Sequence, residues 1–238
     1  MNIQGLRYSY PKAKKETLKN VSFELKKNKL NVLVGLNGAG KTTLFDCMTK
    51  TLIANEGDLQ LPSTLETLYL TQNIFYSSEL TGRDMSLFIG SLAEMKEYKQ
   101  MNSFIHTLHS EREKELLKHL WDMKLGKMSV GERKWLFVML LTCIKKELYI
   151  FDEPTSGVDP SSRKNIMNRL DELVDKNATC LISTHQLHDL SHIAAHVIFL
   201  HDGVILYEGD YHEWLEKFQT RDPDEAFIKM IEYSDKVK

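Results

Sequence analysis

The chain has 238 residues, with 31 Lys and Arg against 33 Asp and Glu, a formal net charge of −2. That near balance excludes a protein that holds nucleic acid through a strong basic excess. Hydrophobic residues at 42% and charged residues at 27% describe a soluble globular chain able to bury a core of its own.

In chain order, Val21–Leu25 alternates as a half-buried strand does. Leu30–Val34 (LNVLV) reads as a strand buried on both faces, followed by a Gly-rich turn and a helix over Lys41–Lys50. From about Asn73 to Lys127 strand-like runs are missing. Helical spacing dominates there, as in Glu111–Trp121, so this stretch reads as a helical insertion. Its Met85, Met95 and Met101 read as core filler. A helix over Glu132–Ile144 precedes the apolar run Leu148–Phe151 (LYIF). Then come a helix over Ser161–Lys176, the apolar run Cys180–Ser183 (CLIS), a helix over Gln186–Ala194 and a strand over His196–Leu200. Alternating strands and helices predict an α/β fold on a parallel sheet.

The N-terminal MNIQGLRYSY lacks a charged segment leading into an apolar run, so no secretory signal is expected. The longest apolar stretch, Trp135–Ile144 with Thr142 inside it, is half the ~20 residues that a membrane span needs. Cys47, Cys143 and Cys180 lie far apart with no CxxC pair, and read as free thiols in a reducing compartment.

The sharpest local pattern is Gly35-Leu36-Asn37-Gly38-Ala39-Gly40-Lys41-Thr42, G-x-x-x-x-G-K-T, set between a strand and a helix. Glycines let successive N–H groups aim at one point, and the helix N-terminus adds unpaired N–H groups and a positive dipole end. Lys41 brings a full charge to terminal phosphates. Thr42 offers a hydroxyl to Mg²⁺, with Thr43 beside it. The Leu148–Phe151 run ends in Asp152 and Glu153. A carboxylate at the tip of an apolar strand is costly unless it meets a cation, so Asp152 is expected to hold Mg²⁺. Glu153, one residue on, points differently and is the expected base for an attacking water.

With these motifs the chain resembles the nucleotide-binding subunit of ATP-binding cassette (ABC) transporters, from about Asn2 to Phe218. Tyr69-Leu70-Thr71-Gln72 is similar to the family's glutamine loop, and Ser129-Val130-Gly131-Glu132-Arg133 to its signature motif. Ser156-Gly157-Val158-Asp159 is similar to the D-loop, Ser183-Thr184-His185 to the switch histidine, and Tyr10 to the aromatic that stacks on adenine, with Tyr8 as rival. The resemblance implies a P-loop NTPase cassette with a RecA-like parallel-sheet body, an N-terminal antiparallel β subdomain and an inserted α-helical subdomain. The ATPase domain would span 1–218, with the insertion at about 73–127 and a C-terminal helical tail at 219–238. It implies ATP and Mg²⁺ as cofactors. ATP would be bound by Tyr10, Gly35–Thr43, Ser129, Gly131 and Asp159, and the metal by Thr42, Gln72 and Asp152. Glu153, His185 and Gln72 would carry the chemistry.

The signature departs from the family pattern LSGGQ: Val130 stands for its first glycine and Glu132 for its glutamine. That favours a paired subunit with a different signature. With one phosphate loop and no span, the resemblance implies separate membrane-spanning subunits and a homodimer or heterodimer of ATP-binding chains, cytoplasmic and peripheral on the inner face of the cell membrane. No nucleic acid is expected. Thr71–Gly90 and Asp222–Ile231 resemble the exporter-type subfamily that serves drugs, antimicrobial peptides, lipids and polysaccharides. A groove near Phe75, Tyr76 and Phe88 is expected to grip a membrane-subunit helix, unless these aromatics fill the insertion's core. The alternative function is a soluble ABC ATPase in a cytosolic complex such as iron–sulfur cluster assembly. His185, His188, His192 and His196 would share one helix face, a spacing that also suits a metal.

Overall fold

The computed structural model describes residues 1–27, 29–108, 110–175 and 178–237, so Lys176 and Lys238, at two predicted boundaries, lie outside the described residues. The chain forms two compact units, one of Met1–Gln72, Lys146–Glu153 and Asp171–Lys238, the other of Asn73–Lys145 and Pro154–Leu170.

The first unit carries every strand among the described residues: β1 (Asn2–Tyr8), β2 (Leu18–Glu24), β3 (Leu30–Val34), β4 (Glu56–Gln60), β5 (Thr67–Leu70), β6 (Leu148–Phe151), β7 (Thr179–Thr184), β8 (Ala195–His201) and β9 (Val204–Asp210). The larger sheet runs β5-β6-β7-β3-β8-β9. Its members are parallel except at β8/β9. Every residue of β3, β6 and β7 is buried, which is why those segments read as mostly apolar runs and not as alternations. The smaller sheet, β2-β1-β4, is antiparallel. Its β2 shows the alternating burial of a strand with one wet face. Ile3, Leu6, Val21 and Phe23 from this sheet share one apolar cluster with Leu33, Leu44, Ile150 and Ile198 from the body. The body's α1 (Lys41–Met48) follows β3 directly and stops short of the predicted Lys50, which takes a left-handed φ of 60°.

The second unit holds α2 (Gly82–Leu92), α3 (Asn102–Ile105), α4 (Glu111–Trp121), α5 (Val130–Thr142) and the first part of α6 (Pro160–Asp175). It therefore extends past the expected 73–127. Trp135–Leu140 of α5 is buried throughout and completes this unit's core, where the Tyr98 hydroxyl donates to the Leu140 carbonyl at 2.8 Å. Thr81 with Asp84, Ser110 with Glu113 and Ser129 with Glu132 form reciprocal caps at the N-termini of α2, α4 and α5. Each cap satisfies N–H groups left open by the first turn, worth about 1 kcal/mol apiece.

The helix expected over Gln186–Ala194 does not form. A 3₁₀ turn at Leu187–Leu190 takes its place. Leu187 and Leu190 are both buried, and a 3₁₀ turn sets i and i+3 on one side, so two anchors suffice before the chain enters β8. The four histidines consequently share no helix face. His185 follows β7, His188 lies in the turn and His196 is buried in β8 against Glu208.

The C-terminal part of the first unit is α7 (Tyr211–Lys217) and α8 (Pro223–Val237). The predicted Asp222–Ile231 helix thus starts one residue later and runs further. It docks through buried Ala226 and Met230 and through Phe227, whose ring centroid lies 5.7 Å from that of Phe199.

Candidate functional site

Three neighbouring parallel strands deliver the site. Val34 pairs with Thr184 and Phe151 with Ile182, so β3, β7 and β6 end side by side. Beyond β3 comes the glycine loop, beyond β6 Asp152 and Glu153, and beyond β7 His185. At the outer strand, Leu70 of β5 pairs with Phe151, and Gln72 follows two residues on. Ligands in parallel α/β sheets bind outside these carboxyl ends.

The loop closes on α1 through Gly40, whose φ of 105° is a conformation that glycine adopts without a Cβ penalty. A Cβ on Gly38 would meet nothing within 4 Å, so the loop is open to the cleft on that side. The cleft, about 330 Å³, is lined by Tyr10, Thr17, Asn37, Gly38, Gly40–Thr43, Gln72 and Glu153. Gly35, Leu36 and Ala39 belong to the loop without lining this wall. The Lys41 ammonium donates to the Gly35 carbonyl at 2.8 Å and the Leu36 carbonyl at 3.3 Å.

Glu153 is 6% exposed. Its Oε2 accepts from Gln72 Nε2 at 2.9 Å, while Oε1 lies 3.6 Å from both Lys41 Nζ and His185 Nδ1. Its backbone takes a left-handed φ of 49°. Asp152 Oδ2 accepts from the Thr42 hydroxyl at 2.8 Å, and Oδ1 from the Ser183 hydroxyl at 2.5 Å. Thr42 Oγ1 and Asp152 Oδ2 are two hard oxygens side by side. That suits Mg²⁺, which takes one or two protein oxygens and completes its shell with phosphate and water. The open loop, with Lys41 beneath it, suits a polyphosphate.

Of the two tyrosines weighed for adenine, Tyr8 is 6% exposed and packed inward, whereas Tyr10 is 44% exposed at the cleft. The two rings meet edge to face with centroids 5.0 Å apart, so buried Tyr8 braces the outer ring.

Ser129, Gly131 and Asp159 lie in the second unit. There Gly131 and Asp159 meet: a Cβ on Gly131 would sit 3.0 Å from Asp159 Oδ2 and from Ser162 Oγ. The Ser129 N–H donates to the Glu132 carboxylate at 2.7 Å, and the Glu132 N–H to Ser129 Oγ at 3.2 Å. The glutamate that departs from the family pattern thus closes the cap of α5. Asp159 accepts from the Ser161 and Ser162 N–H groups at the start of α6. Hydrogen bonds from Ser162, chiefly through its side chain, hold this carboxyl below its ordinary range.

Phe75 is 97% exposed and Phe88 is exposed as well, so neither fills the insertion's core. Tyr76 is half-buried against Phe137 and under the Arg133 guanidinium. A pocket of about 310 Å³ in this unit is lined by Leu87, Gly90, Ser91, Glu94, Met95, Tyr98 and Lys99, not by those three aromatics. Ser183 is the residue near the carboxylates to which the sequence reading assigned no role. Its signal was a hydroxyl at the end of the apolar run Cys180–Ser183, two residues before His185.

A family model described as ABC transporter matches residues 18–156. The uncharacterised ABC transporter ATP-binding protein YxlF of Bacillus subtilis (strain 168) is 29% identical over 231 residues, 92% of this chain and 74% of the relative. The lantibiotic transport ATP-binding protein SrtF of Streptococcus pyogenes is 26% identical over 224 residues, 89% of this chain and 91% of the relative. A solved ATP-binding subunit of an ABC transporter superposes with a TM-score of 0.78 over 97% of this chain and 98% of its own, at 21% identity, a likeness of fold. Among the described residues no helix is long and apolar enough to cross a membrane.

Proposed function

The chain belongs to the ABC transporter family, and from that premise we infer that it is the ATP-binding, ATP-hydrolysing subunit of an exporter. Hydrolysis of ATP to power transport, with membrane-spanning subunits as partners, is the work of this family's ATP-binding subunits. Our proposal adds the outward direction, the residues that act and the manner of pairing. Outward transport is supported by the exporter-like segments Thr71–Gly90 and Asp222–Ile231 and by the lantibiotic-transport relative. A peptide of that type is the first cargo to test. The chain would work on the cytoplasmic face, held to the membrane by its partners.

One observation carries the site reading: a single buried carboxylate, Glu153, is faced by Lys41, Gln72 and His185. Tyr10 offers its ring to adenine, and the Asn37–Thr43 loop with Lys41 holds the phosphates. Thr42 and Asp152 would hold Mg²⁺, with Gln72 adding an amide oxygen. Held by these residues, the ion would supply positive charge to the phosphates of the nucleotide. Glu153 accepts the proton of the attacking water. Gln72 keeps the Glu153 carboxylate aimed, and His185 lies 3.6 Å from its other oxygen, ready to bond the terminal phosphate. Ser129, Gly131 and Asp159 would complete the nucleotide cage of a second copy or a different ATP-binding chain, paired head to tail. The Ser129–Glu132 cap leaves a carboxylate at that helix end, which supports a partner with a different signature.

The test is Glu153→Gln, which keeps shape and removes the base. Hydrolysis should fall about 10²-fold or more while ATP binding persists and an ATP-bound dimer accumulates. Unchanged turnover would remove Glu153 from the base role. Direction is read in inside-out vesicles carrying the assembled transporter: ATP-driven uptake of cargo into the lumen is export, and ATP-driven loss from the lumen refutes it. Co-purification with soluble partners and without a membrane subunit would oppose the transporter reading.

A further inference from the structure

We propose that Ser183 is a positioning residue for ATP hydrolysis, its one hydroxyl holding Asp152 and Glu153 in their working orientations. This rests on the reading of Asp152 as the metal-side carboxylate and Glu153 as the base.

Ser183 is fully buried in β7, beside Leu33 of β3 and one residue beyond the Ile182–Phe151 pair. A hydroxyl in so apolar a strand is costly unless bonded. Here it is bonded on both sides. The Glu153 N–H can only donate, and Ser183 Oγ accepts it at 2.8 Å. The hydroxyl proton therefore goes to Asp152 Oδ1 at 2.5 Å, the short distance of a charge-assisted bond.

Each bond has a consequence. Tying Oδ1 of Asp152 leaves Oδ2 turned toward Thr42, so the carboxylate cannot rotate away from the cation position. Anchoring the Glu153 N–H holds a non-glycine residue at a φ of 49°. Such a backbone persists only where surrounding bonds over-determine it. Ser183 at the main chain and Gln72 at the carboxylate supply two such bonds. Ser183 thus couples the metal-side group and the base without touching the nucleotide.

The experiment compares Ser183→Ala, Ser183→Thr and Ser183→Cys in the full chain. Loss of such a supporting bond typically costs about 10- to 100-fold in activity or metal affinity. Ser183→Ala should therefore lower kcat by about that factor with KM for ATP little changed. Two further readouts do not depend on turnover. Mn²⁺ binding with ATP, measured by electron paramagnetic resonance in a Glu153→Gln background, should weaken. Hydrogen exchange at the Glu153 N–H should quicken. Ser183→Thr should restore both. Ser183→Cys fills the site with a weak donor, so it should show the same losses as alanine and takes that variant's place should alanine not fold. Parental kcat, Mn²⁺ affinity and exchange in folded Ser183→Ala would overturn the proposal, as would a threonine variant no better than alanine. A Glu153→Gln protein that hydrolyses at the parental rate would instead remove the base assignment, and it is read separately from the exchange and Mn²⁺ measurements.

Discussion

The hydroxyls of Tyr10 and Thr43 lie 3.0 Å apart, one on the loop after β1 and the other on the first turn of α1. An exposed ring is thereby tied to the helix that follows the phosphate loop, and the buried Tyr8 braces it from the side. Removing the ring in Tyr10→Ala should weaken ATP binding by the value of one stacked base, about 1–3 kcal/mol, or roughly five- to hundredfold in Kd. Tyr10→Phe keeps the ring and loses only the tether, so its loss should be the smaller. Calorimetric titration with ATP measures both. Equal, parental affinity in the two variants would move adenine elsewhere.

Lys41 spends its charge on the Gly35 and Leu36 carbonyls and sits 3.6 Å from Glu153. Lys41→Ala should cost about 1.5–3 kcal/mol of a charge-assisted bond to phosphate, about ten- to hundredfold in Kd. Fluorescent nucleotide titration checks it, and ATP bound as tightly as by the parent would refute the phosphate-loop reading.

Gly90 of α2 is a packing position. A Cβ there would lie 2.2 Å from the Cβ of Tyr98, whose ring meets Phe104 edge to face at 4.7 Å. Gly90→Ala gains helix propensity but overfills this core, and overpacking typically costs about 1–3 kcal/mol. Denaturant unfolding should show that loss in the helical unit, while ATP binding by the cleft residues is retained.

The thiols should react unequally. Cys47 and Cys180 are buried, and burial pushes the Cys47 thiol up to about 11 and the Cys180 thiol higher still. The reactive thiolate of Cys47 is thus scarce at pH 8 and grows only as the pH approaches 11. Cys143 is part-exposed. Titration of the native protein with a disulfide reagent at pH 8 should modify Cys143 quickly and the other two only on unfolding.

Phe75 has almost no contact to lose, being 97% exposed. Phe75→Glu should leave folding and basal ATP hydrolysis at parental levels and uncouple hydrolysis from transport. Intact transport in that variant would free Phe75 from any role in gripping a membrane subunit.

Most of the body was legible because its signals are local. Leu30–Val34 is apolar but for Asn31 and Leu148–Phe151 is apolar throughout, and the structure ends those strands at the predicted residues. The carboxylates, the phosphate loop, Gln72 and His185 were legible because each follows a strand end. What escaped depended on partners remote in sequence. The Gln186–Ala194 segment has the spacing of a helix, but two buried leucines and the nearby start of β8 hold it to a single turn. Ser183 escaped because a serine in a strand announces nothing until the carboxylates of the neighbouring strand are known. The helical unit outgrew its expected boundary because α5 packs with segments on either side of β6, a matter of contacts and not of composition.

The strand order has a consequence for synthesis. β3, which leads into the phosphate loop, is held between β7 and β8, two strands made long after it. A nascent chain that has emerged only as far as β6 has its glycine loop and its acidic pair, but no neighbour on either flank of β3 within that sheet. Pairings so distant in sequence form slowly. The chain should therefore gain affinity for nucleotide late and abruptly, when residues near His201 have left the ribosome. Until then Leu30–Val34 is an uncovered apolar strand, the kind of segment that chaperones shield.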